Sequence, residues 1–171
     1  MRSNFTYFRS RQVMILSLFA VLFMIPSGAF AQNPVNFSGT WAFNESKSNQ
    51  GEGGSRMVSQ KIIIVQDAAT FSLARTFTTQ DGEREMKEKY TLDGKESVNP
   101  IFNTSKKSIA KWSDDKKTLT VSSVMVFEAN GENIEIKMTE VYTLAGAVLT
   151  INSTSVSSRG ERKTTLIYDK K

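Results

Sequence analysis

The chain has 171 residues, with 22 lysines and arginines, 17 acidic residues, no cysteine and no histidine. Without cysteine there are no disulfides, and without histidine the commonest metal ligand, the usual general base and the Ser-His-Asp and Cys-His catalytic arrangements are all missing. Carboxylates are the remaining metal ligands, but no Asp-x-Asp-x-Asp loop is present, and no basic block indicates nucleic-acid binding, so we expect no cofactor, no metal and no nucleic-acid partner.

Residues 1–31 have the features of an export signal. Three arginines precede an apolar run over residues 13–25, and the small-x-small cleavage rule places the cut after Ala31. Cleavage leaves residues 32–171 as one domain, with 19 basic and 17 acidic residues and a net charge of +2. The sequence therefore predicts a periplasmic or secreted protein.

The apolar run is short for a membrane span. An uncleaved N-terminal anchor is the alternative to a cleaved signal peptide. No cysteine follows the run, which excludes a lipoprotein signal, and we expect no stable membrane span after cleavage.

The mature chain opens with a predicted strand over residues 37–44. Phe37, Gly39, Trp41 and Phe43 share one face of it, because side chains two apart on a strand point the same way. The spacing of Gly39 and Trp41, just inside the first strand, resembles that of the calycin superfamily, which contains lipocalins, fatty-acid-binding proteins and avidins. The longer string Phe-Ser-Gly-Thr-Trp-x-x-Asn-x-x-Lys-Ser resembles the start of exported lipocalin-like bacterial proteins of unassigned function.

This resemblance implies a barrel in which the tryptophan of the Gly-x-Trp motif packs across one end, against an arginine from a late strand. Trp41 occupies that position here, and Arg162 or Arg159 is the candidate partner. An arginine on an indole face gains about 0.5 to 2 kcal/mol from the cation–π interaction. The resemblance therefore implies a structural role in barrel closure for Gly39, Trp41 and Arg162.

A polar, glycine-rich loop is predicted over residues 45–55, and a β-rich run follows over residues 58–66. After that, no window shows a helical period, and short alternating segments are separated by turn residues. The six lysines of the predicted loops are interpreted as solvated charges: Lys47, Lys95, Lys106, Lys107, Lys116 and Lys117.

A nine-residue segment occurs twice, at residues 86–94 and 138–146. In both copies Met, Glu, Tyr and Leu follow one another at every second position, so a glutamate lies in the middle of an apolar row on one face of a strand. A carboxylate on a core face is costly unless a partner compensates it. Glu88 and Glu140 therefore require partners inside the fold.

Turn motifs fix a trial register. The assumed turns are Asp81-Gly82, Asp114 to Lys117, Asn130-Gly131, Ala145-Gly146 and Arg159-Gly160. They pair Arg75 with Glu88, Trp112 with Leu119, Val121 with Glu140, Glu140 with Ile151, and Tyr168 with Ile151. Every pair keeps the apolar residues on one face. The pattern predicts an all-β fold, an up-and-down antiparallel meander of about eight to ten strands closed into a calycin-like barrel. A two-sheet sandwich is the alternative.

Several polar residues share the predicted interior: Arg75, Glu88, Ser123, Glu140, Ser153, Ser155 and, as a further candidate, Arg162. Arg75 and Glu88 form either a structural ion pair or the polar floor of a ligand cavity. Glu140 has no basic neighbour in the trial register. Three explanations are open: it is protonated, it reaches Arg75 or Arg162 across the lumen, or it lies near a wet opening.

The function expected from these residues is non-enzymatic binding of a small apolar or amphiphilic molecule in the barrel. The candidate ligand-binding residues are Arg75, Glu88, Glu140, Ser123, Ser153, Tyr90 and Tyr142, with Arg75 holding the polar end and Glu88 orienting it. One alternative is a protein-interaction module, such as a protease inhibitor or an envelope-assembly factor, that uses residues 32–37 and 47–55. The other is a carboxylate-based hydrolase that uses Glu88 and Glu140.

Overall fold

The computed structural model describes residues 33–51, 58–129 and 131–171. The predicted signal peptide and its cleavage site lie outside these ranges. A single-turn 3-10 helix, η1, spans Glu45–Lys47. The ten strands are β1 (Gly39–Phe43), β2 (Lys61–Gln66), β3 (Thr70–Thr79), β4 (Gly82–Thr91), β5 (Glu96–Ile101), β6 (Thr104–Trp112), β7 (Thr118–Ala129), β8 (Glu132–Ala145), β9 (Val148–Ser157) and β10 (Gly160–Lys170).

All ten strands belong to one antiparallel sheet, in the order β4-β3-β2-β1-β10-β9-β8-β7-β6-β5. Neighbours in sequence are therefore neighbours in space, and the pairing of β1 with β10 rolls the sheet into a nearly closed barrel. This confirms the predicted all-β, up-and-down fold, and the two-sheet sandwich is not formed. In the described part of the chain, no helix has the length and apolar character needed to cross a membrane.

Side chains, rather than a backbone ladder, join the two ends of the sheet at β4 and β5. The amide of Asn99 accepts a hydrogen bond from the Lys89 N–H (2.7 Å) and donates one to the Lys89 carbonyl (3.1 Å). The Ser97 hydroxyl accepts from the Thr91 N–H (2.9 Å). We call this line between β4 and β5 the seam. Its side chains satisfy the edge groups that a neighbouring strand would otherwise pair.

The N-terminal segment closes the end of the barrel that we call the lower end. Phe37 is completely buried and its ring lies 5.9 Å from the rings of both Phe71 and Trp112 and 6.4 Å from that of Tyr142. The indole N–H of Trp41, also completely buried, donates to the Phe37 carbonyl (3.0 Å). These aromatic side chains fill the lower end of the barrel.

The cation that packs on Trp41 is Lys170, whose Nζ lies 5.5 Å from the ring centroid. The prediction of Arg162 as this partner is wrong. Arg162 lies at the other end of β10 and donates from Nη2 to the Gln50 carbonyl (3.0 Å), and Arg159 lies in the turn between β9 and β10. Lys170 has this position because β1 and β10 are antiparallel and pair Trp41 with the last residue of β10.

The predicted register is confirmed at two turns and wrong at three. Trp112 pairs with Leu119, and Val121 with Glu140, as predicted. At the other three turns the pairing is shifted by two residues: Arg75 pairs with Met86, Glu140 with Ser153, and Tyr168 with Leu149. A shift of two leaves every side chain on its predicted face.

Glycine conformation explains the shifts at Asp81-Gly82 and Arg159-Gly160, whereas at the third turn Ala145 pairs with Val148 and the turn residues are those at 146 and 147. Gly82 and Gly160 have φ of 109° and 113° and begin the next strand, so the turn residues are the two before each glycine. A two-residue turn followed by a glycine with positive φ is a common hairpin connection. The trial register had placed these glycines inside the turns.

Candidate functional site: a polar cluster inside the barrel

A cluster of charged and phenolic side chains lies inside the barrel. Arg75 of β3 donates from Nε to Glu88 Oε2 (3.2 Å) and from Nη2 to Glu140 Oε1 (2.8 Å). Lys106 of β6 forms an ion pair with Glu88 Oε1. All four residues are buried, with exposed fractions between 1% for Lys106 and 7% for Arg75. Two buried cations therefore balance two buried carboxylates.

Two tyrosines complete this group, which we call the polar cluster (Arg75, Glu88, Tyr90, Lys106, Glu140 and Tyr142). The Tyr90 hydroxyl donates to Glu88 Oε1 (2.8 Å), and Arg75 Nη2 donates to the Tyr142 hydroxyl (2.6 Å). Lys106 Nζ lies 5.5 Å from the centroid of the Tyr90 ring. The cluster thus links β3, β4, β6 and β8 across the lumen.

Neighbouring charges in the cluster keep Arg75 and Glu88 ionised. Burial lowers the pKa of Arg75, but the facing Glu140, Tyr142 and Glu88 raise it well above its ordinary value. Burial raises the pKa of Glu88, but Arg75 and Lys106 outweigh this effect and the pKa lies below its ordinary value. Arg75 is therefore cationic, and Glu88 anionic, at neutral pH.

Alkaline titration tests the burial of the tyrosines. Burial raises the pKa values of Tyr90, Tyr142 and Tyr168 above the ordinary value of 10.0. Because their folded-state pKa values are raised, the stability that these neutral phenols contribute is fully present below that value and is lost as pH rises through the folded pKa values. The fourth tyrosine, Tyr7, lies in the predicted signal peptide, so we expect all three tyrosines of residues 32–171 to ionise only as the protein unfolds. Absorbance of phenolate and circular dichroism, recorded on the same samples, measure this.

The control for that titration is residues 32–171 in concentrated urea, where the same three tyrosines should ionise near their ordinary pKa. Phenolate signal from any of them in protein that is still folded would contradict the structure.

The structure brings together five of the seven predicted ligand-binding residues: Arg75, Glu88, Tyr90, Glu140 and Tyr142. Of the three explanations for Glu140, the one in which it reaches Arg75 across the lumen is confirmed. The other two residues lie nearby. Ser123 shares a hydrogen bond with Ser108 (2.9 Å), and half-buried Ser153 lies opposite Glu140 on β9.

Sequence reasoning missed Lys106, which it assigned to a solvated loop. That assignment is wrong, because Lys106 is 1% exposed and paired with Glu88. A signal was present in the alternation of side chains. Trp112 was already placed inward, and counting back by twos along β6 reaches Ala110, Ser108 and Lys106. An inward lysine next to two inward glutamates would have completed the charge balance.

Inward-facing side chains of β8, β9 and β10 become less buried towards the end opposite Phe37, which we call the upper end. On β8, inward-facing Tyr142 and Glu140 are buried, whereas Met138, Ile136 and Ile134 further along are half-buried. Strands β9 and β10 change in the same direction, from buried Ile151 and Tyr168 to half-buried residues. Side chains therefore fill the lower half of the barrel more completely than the upper half.

We call the upper part of the lumen the upper chamber. Its walls differ in chemistry. Strands β3, β4, β7 and β8 contribute apolar side chains, and β9 and β10 contribute hydroxyl groups. The residues are Phe77, Met86, Met125, Ile136 and Met138 on the apolar side and Ser153, Ser155 and Thr164 on the hydroxyl side. Because the polar cluster lies below them, the chamber has a polar floor and an amphipathic wall.

Two grooves on the outer surface are separate from this lumen. One, of about 320 Å³, lies across β2, β3 and β4, and the other, of about 460 Å³, crosses β6, β7 and β8. Both are lined mainly by outward-facing residues, including Val65 and Lys87 in the first and Ile109 and Val124 in the second. Among the described residues, no group of three or more acidic side chains is arranged to hold a metal ion.

No family model matches the chain, and no curated protein matches its sequence. Among solved structures, the chain is similar to the crystal structure of zebrafish ileal bile acid-binding protein complexed with cholic acid, with a TM-score of 0.54 and 17% sequence identity. The match covers 79% of this chain and 98% of that chain. At this identity the likeness shows the fold alone, a calycin-like, nearly closed β-barrel.

Proposed function

We propose that this protein binds a small, partly apolar molecule in the upper chamber and catalyses no reaction. The observation that carries the proposal is the change in burial along β8, β9 and β10, where inward-facing side chains are buried at the polar cluster and half-buried above it. The interior of a small barrel is either filled by its own side chains or holds one small ligand. Half-buried methionine and isoleucine side chains on an inner wall offer apolar surface to a guest.

The polar cluster gives the guest a defined orientation. Apolar walls favour the body of the molecule, while Arg75 and Glu140 lie where its polar end would be held. Glu88 fixes the Arg75 guanidinium through Nε. The zebrafish protein of similar fold is recorded in complex with cholic acid, a small amphiphile, which supports a barrel guest of this general class.

Neither alternative is favoured by a specific observation. Hydrolysis by Glu88 and Glu140 needs both carboxylates in an open cleft, but both are bonded to Arg75 and are 2% and 5% exposed. The protein-interaction alternative used residues 32–37 as a contact element, but Phe37 is completely buried in the lower end. Its other element, residues 47–55, is described only in part.

Blocking the chamber tests the proposal. Ser155 and Val156 are adjacent on β9 and face opposite sides, one half-buried and inward, the other 45% exposed and outward. We expect Ser155→Trp to fill the chamber and to weaken binding of the neutral apolar dye N-phenyl-1-naphthylamine by about tenfold or more, because the dye loses its apolar contacts. Fluorescence titration measures the affinity.

The control is Val156→Trp, which adds the same side chain outside and should leave dye affinity within about twofold of the wild type. Thermal unfolding checks that both variants fold. Equal dye affinity in the wild type and both variants, or no dye binding by the wild type, would contradict the proposal.

We also propose that residues 1–31 are removed on export and that the mature protein is periplasmic or secreted. The arginine-rich start and apolar run of the sequence support this. Native mass spectrometry of protein purified from its own host measures the mass of the mature chain and of any retained small molecule. A mass that includes residues 1–31 would contradict export with cleavage.

A further inference from the structure

One carboxylate oxygen of the polar cluster has no partner. Glu140 Oε1 accepts from Arg75 Nη2, but Oε2 has no hydrogen-bond partner among the described residues, although Glu140 is only 5% exposed. Buried carboxylate oxygens are normally hydrogen-bonded, because an unsatisfied one forfeits its interactions with water. Glu140 therefore presents a strong acceptor inside the barrel.

This acceptor lies at the floor of the upper chamber. The next inward residue above Glu140 on β8 is Met138, which is half-buried. Directly opposite Glu140 on β9 is Ser153, and the next inward residue there is Ser155, both also half-buried. Met138 and Ser155 therefore lie directly above Glu140, on the side from which a molecule in the chamber would approach it.

The charge of the cluster restricts what that lower end is. Arg75 and Lys106 already balance Glu88 and Glu140, and Arg75 Nε and Nη2 already donate to the two carboxylates. A ligand carboxylate at Glu140 would bring a third negative charge to a cluster with two cations, because Arg162, which lies opposite Ser155 on β10, already donates to the Gln50 carbonyl. An ammonium would bring a third positive charge to a cluster with two carboxylates. Either is costly in a buried site. An uncharged donor adds no charge and still satisfies Oε2.

We infer that the ligand's polar end is an uncharged hydroxyl group that donates a hydrogen bond to Glu140 Oε2, and that the ligand is a neutral amphiphile rather than a carboxylate held by Arg75. This inference rests on the proposed function of the upper chamber. It assigns Glu140 as the residue that determines the ligand's head group, with Arg75 positioning Glu140 through Oε1.

Two probes of equal length test the inference. Decan-1-ol and decanoate differ only in the head group, and each is used at neutral pH to displace N-phenyl-1-naphthylamine from the full chain. We expect the wild type to bind decan-1-ol about tenfold or more tightly than decanoate. Glu140→Gln replaces one carboxylate oxygen by a donor and leaves the cluster with an uncompensated positive charge. We expect it to weaken decan-1-ol binding about tenfold and to strengthen decanoate binding, which reverses the preference.

Glu135→Gln is the matched control, because Glu135 lies on the same strand, faces outward and is exposed. Its ratio of affinities should stay within about twofold of the wild type. Equal or tighter binding of decanoate by the wild type overturns the inference, as does an unchanged ratio in a folded Glu140→Gln variant. If that variant does not fold, the wild-type ratio decides alone. If the wild type binds the dye and decanoate but not decan-1-ol, only this inference fails; if it binds none of the three, the proposed function fails as well.

Discussion

In the Arg75→Met variant, the free energy of unfolding is expected to fall by about 3 to 5 kcal/mol. Methionine fills much of the same volume but leaves Glu140 without the one ion-pair partner that it has among the described residues, and leaves Glu88 with Lys106 alone. A buried carboxylate that loses its cation is strongly destabilising, because the charge has been taken out of water without compensation. Urea denaturation at neutral pH, followed by circular dichroism, measures the loss.

Arg84→Met is the control for this change. Arg84 lies on the neighbouring strand, is exposed, and pairs only with exposed Asp81, so its loss should cost less than about 1 kcal/mol. The double variant Arg75→Met/Glu140→Leu should be more stable than Arg75→Met, because it removes one of the stranded carboxylates. A cost for Arg75→Met no larger than that for Arg84→Met would show that the cluster does not hold the barrel together.

Phe37→Ala should cost about 3 to 5 kcal/mol of unfolding free energy. The ring is completely buried against Phe71, Trp112 and Tyr142, and its removal leaves a cavity at the lower end. Rigid surroundings cannot collapse fully into such a space, so the lost contacts are not recovered. The same urea denaturation measures the effect.

Phe102→Ala provides the comparison, because Phe102 follows β5 and is 63% exposed. Its replacement should change stability by no more than about 0.5 kcal/mol. If the two phenylalanine variants proved equally stable, burial of Phe37 at the lower end would not contribute to the stability of the barrel.

The fold could be predicted from the sequence because alternation of side chains is a local property. Strands β3, β4 and β7 to β10 face as predicted, since a pairing error of two residues does not turn a strand over. The exact register was not predictable at three turns. A glycine such as Gly82 fits either inside a turn or just after it, and both choices satisfy the local sequence equally well.

The contact between Arg75 and Glu140 was beyond sequence reasoning, except as one of three explanations. These residues lie on β3 and β8, five places apart in the sheet, and meet only because the sheet is rolled. How far the strands are staggered on closure decides which side chains face each other across the lumen. Stagger depends on the turns, where the prediction failed.

The seam has a mechanical consequence. Because β4 and β5 are the two borders of a ten-stranded ribbon, the cylinder can unroll along this line without breaking any backbone ladder. Among the described residues, Asn99 and Ser97 of β5 form hydrogen bonds with β4 across this line. The ion pair between Lys106 of β6 and Glu88 of β4 spans the same line inside the lumen. The buried Lys106–Glu88 ion pair therefore opposes separation of β4 from β5, a local opening in which every other strand keeps its neighbours.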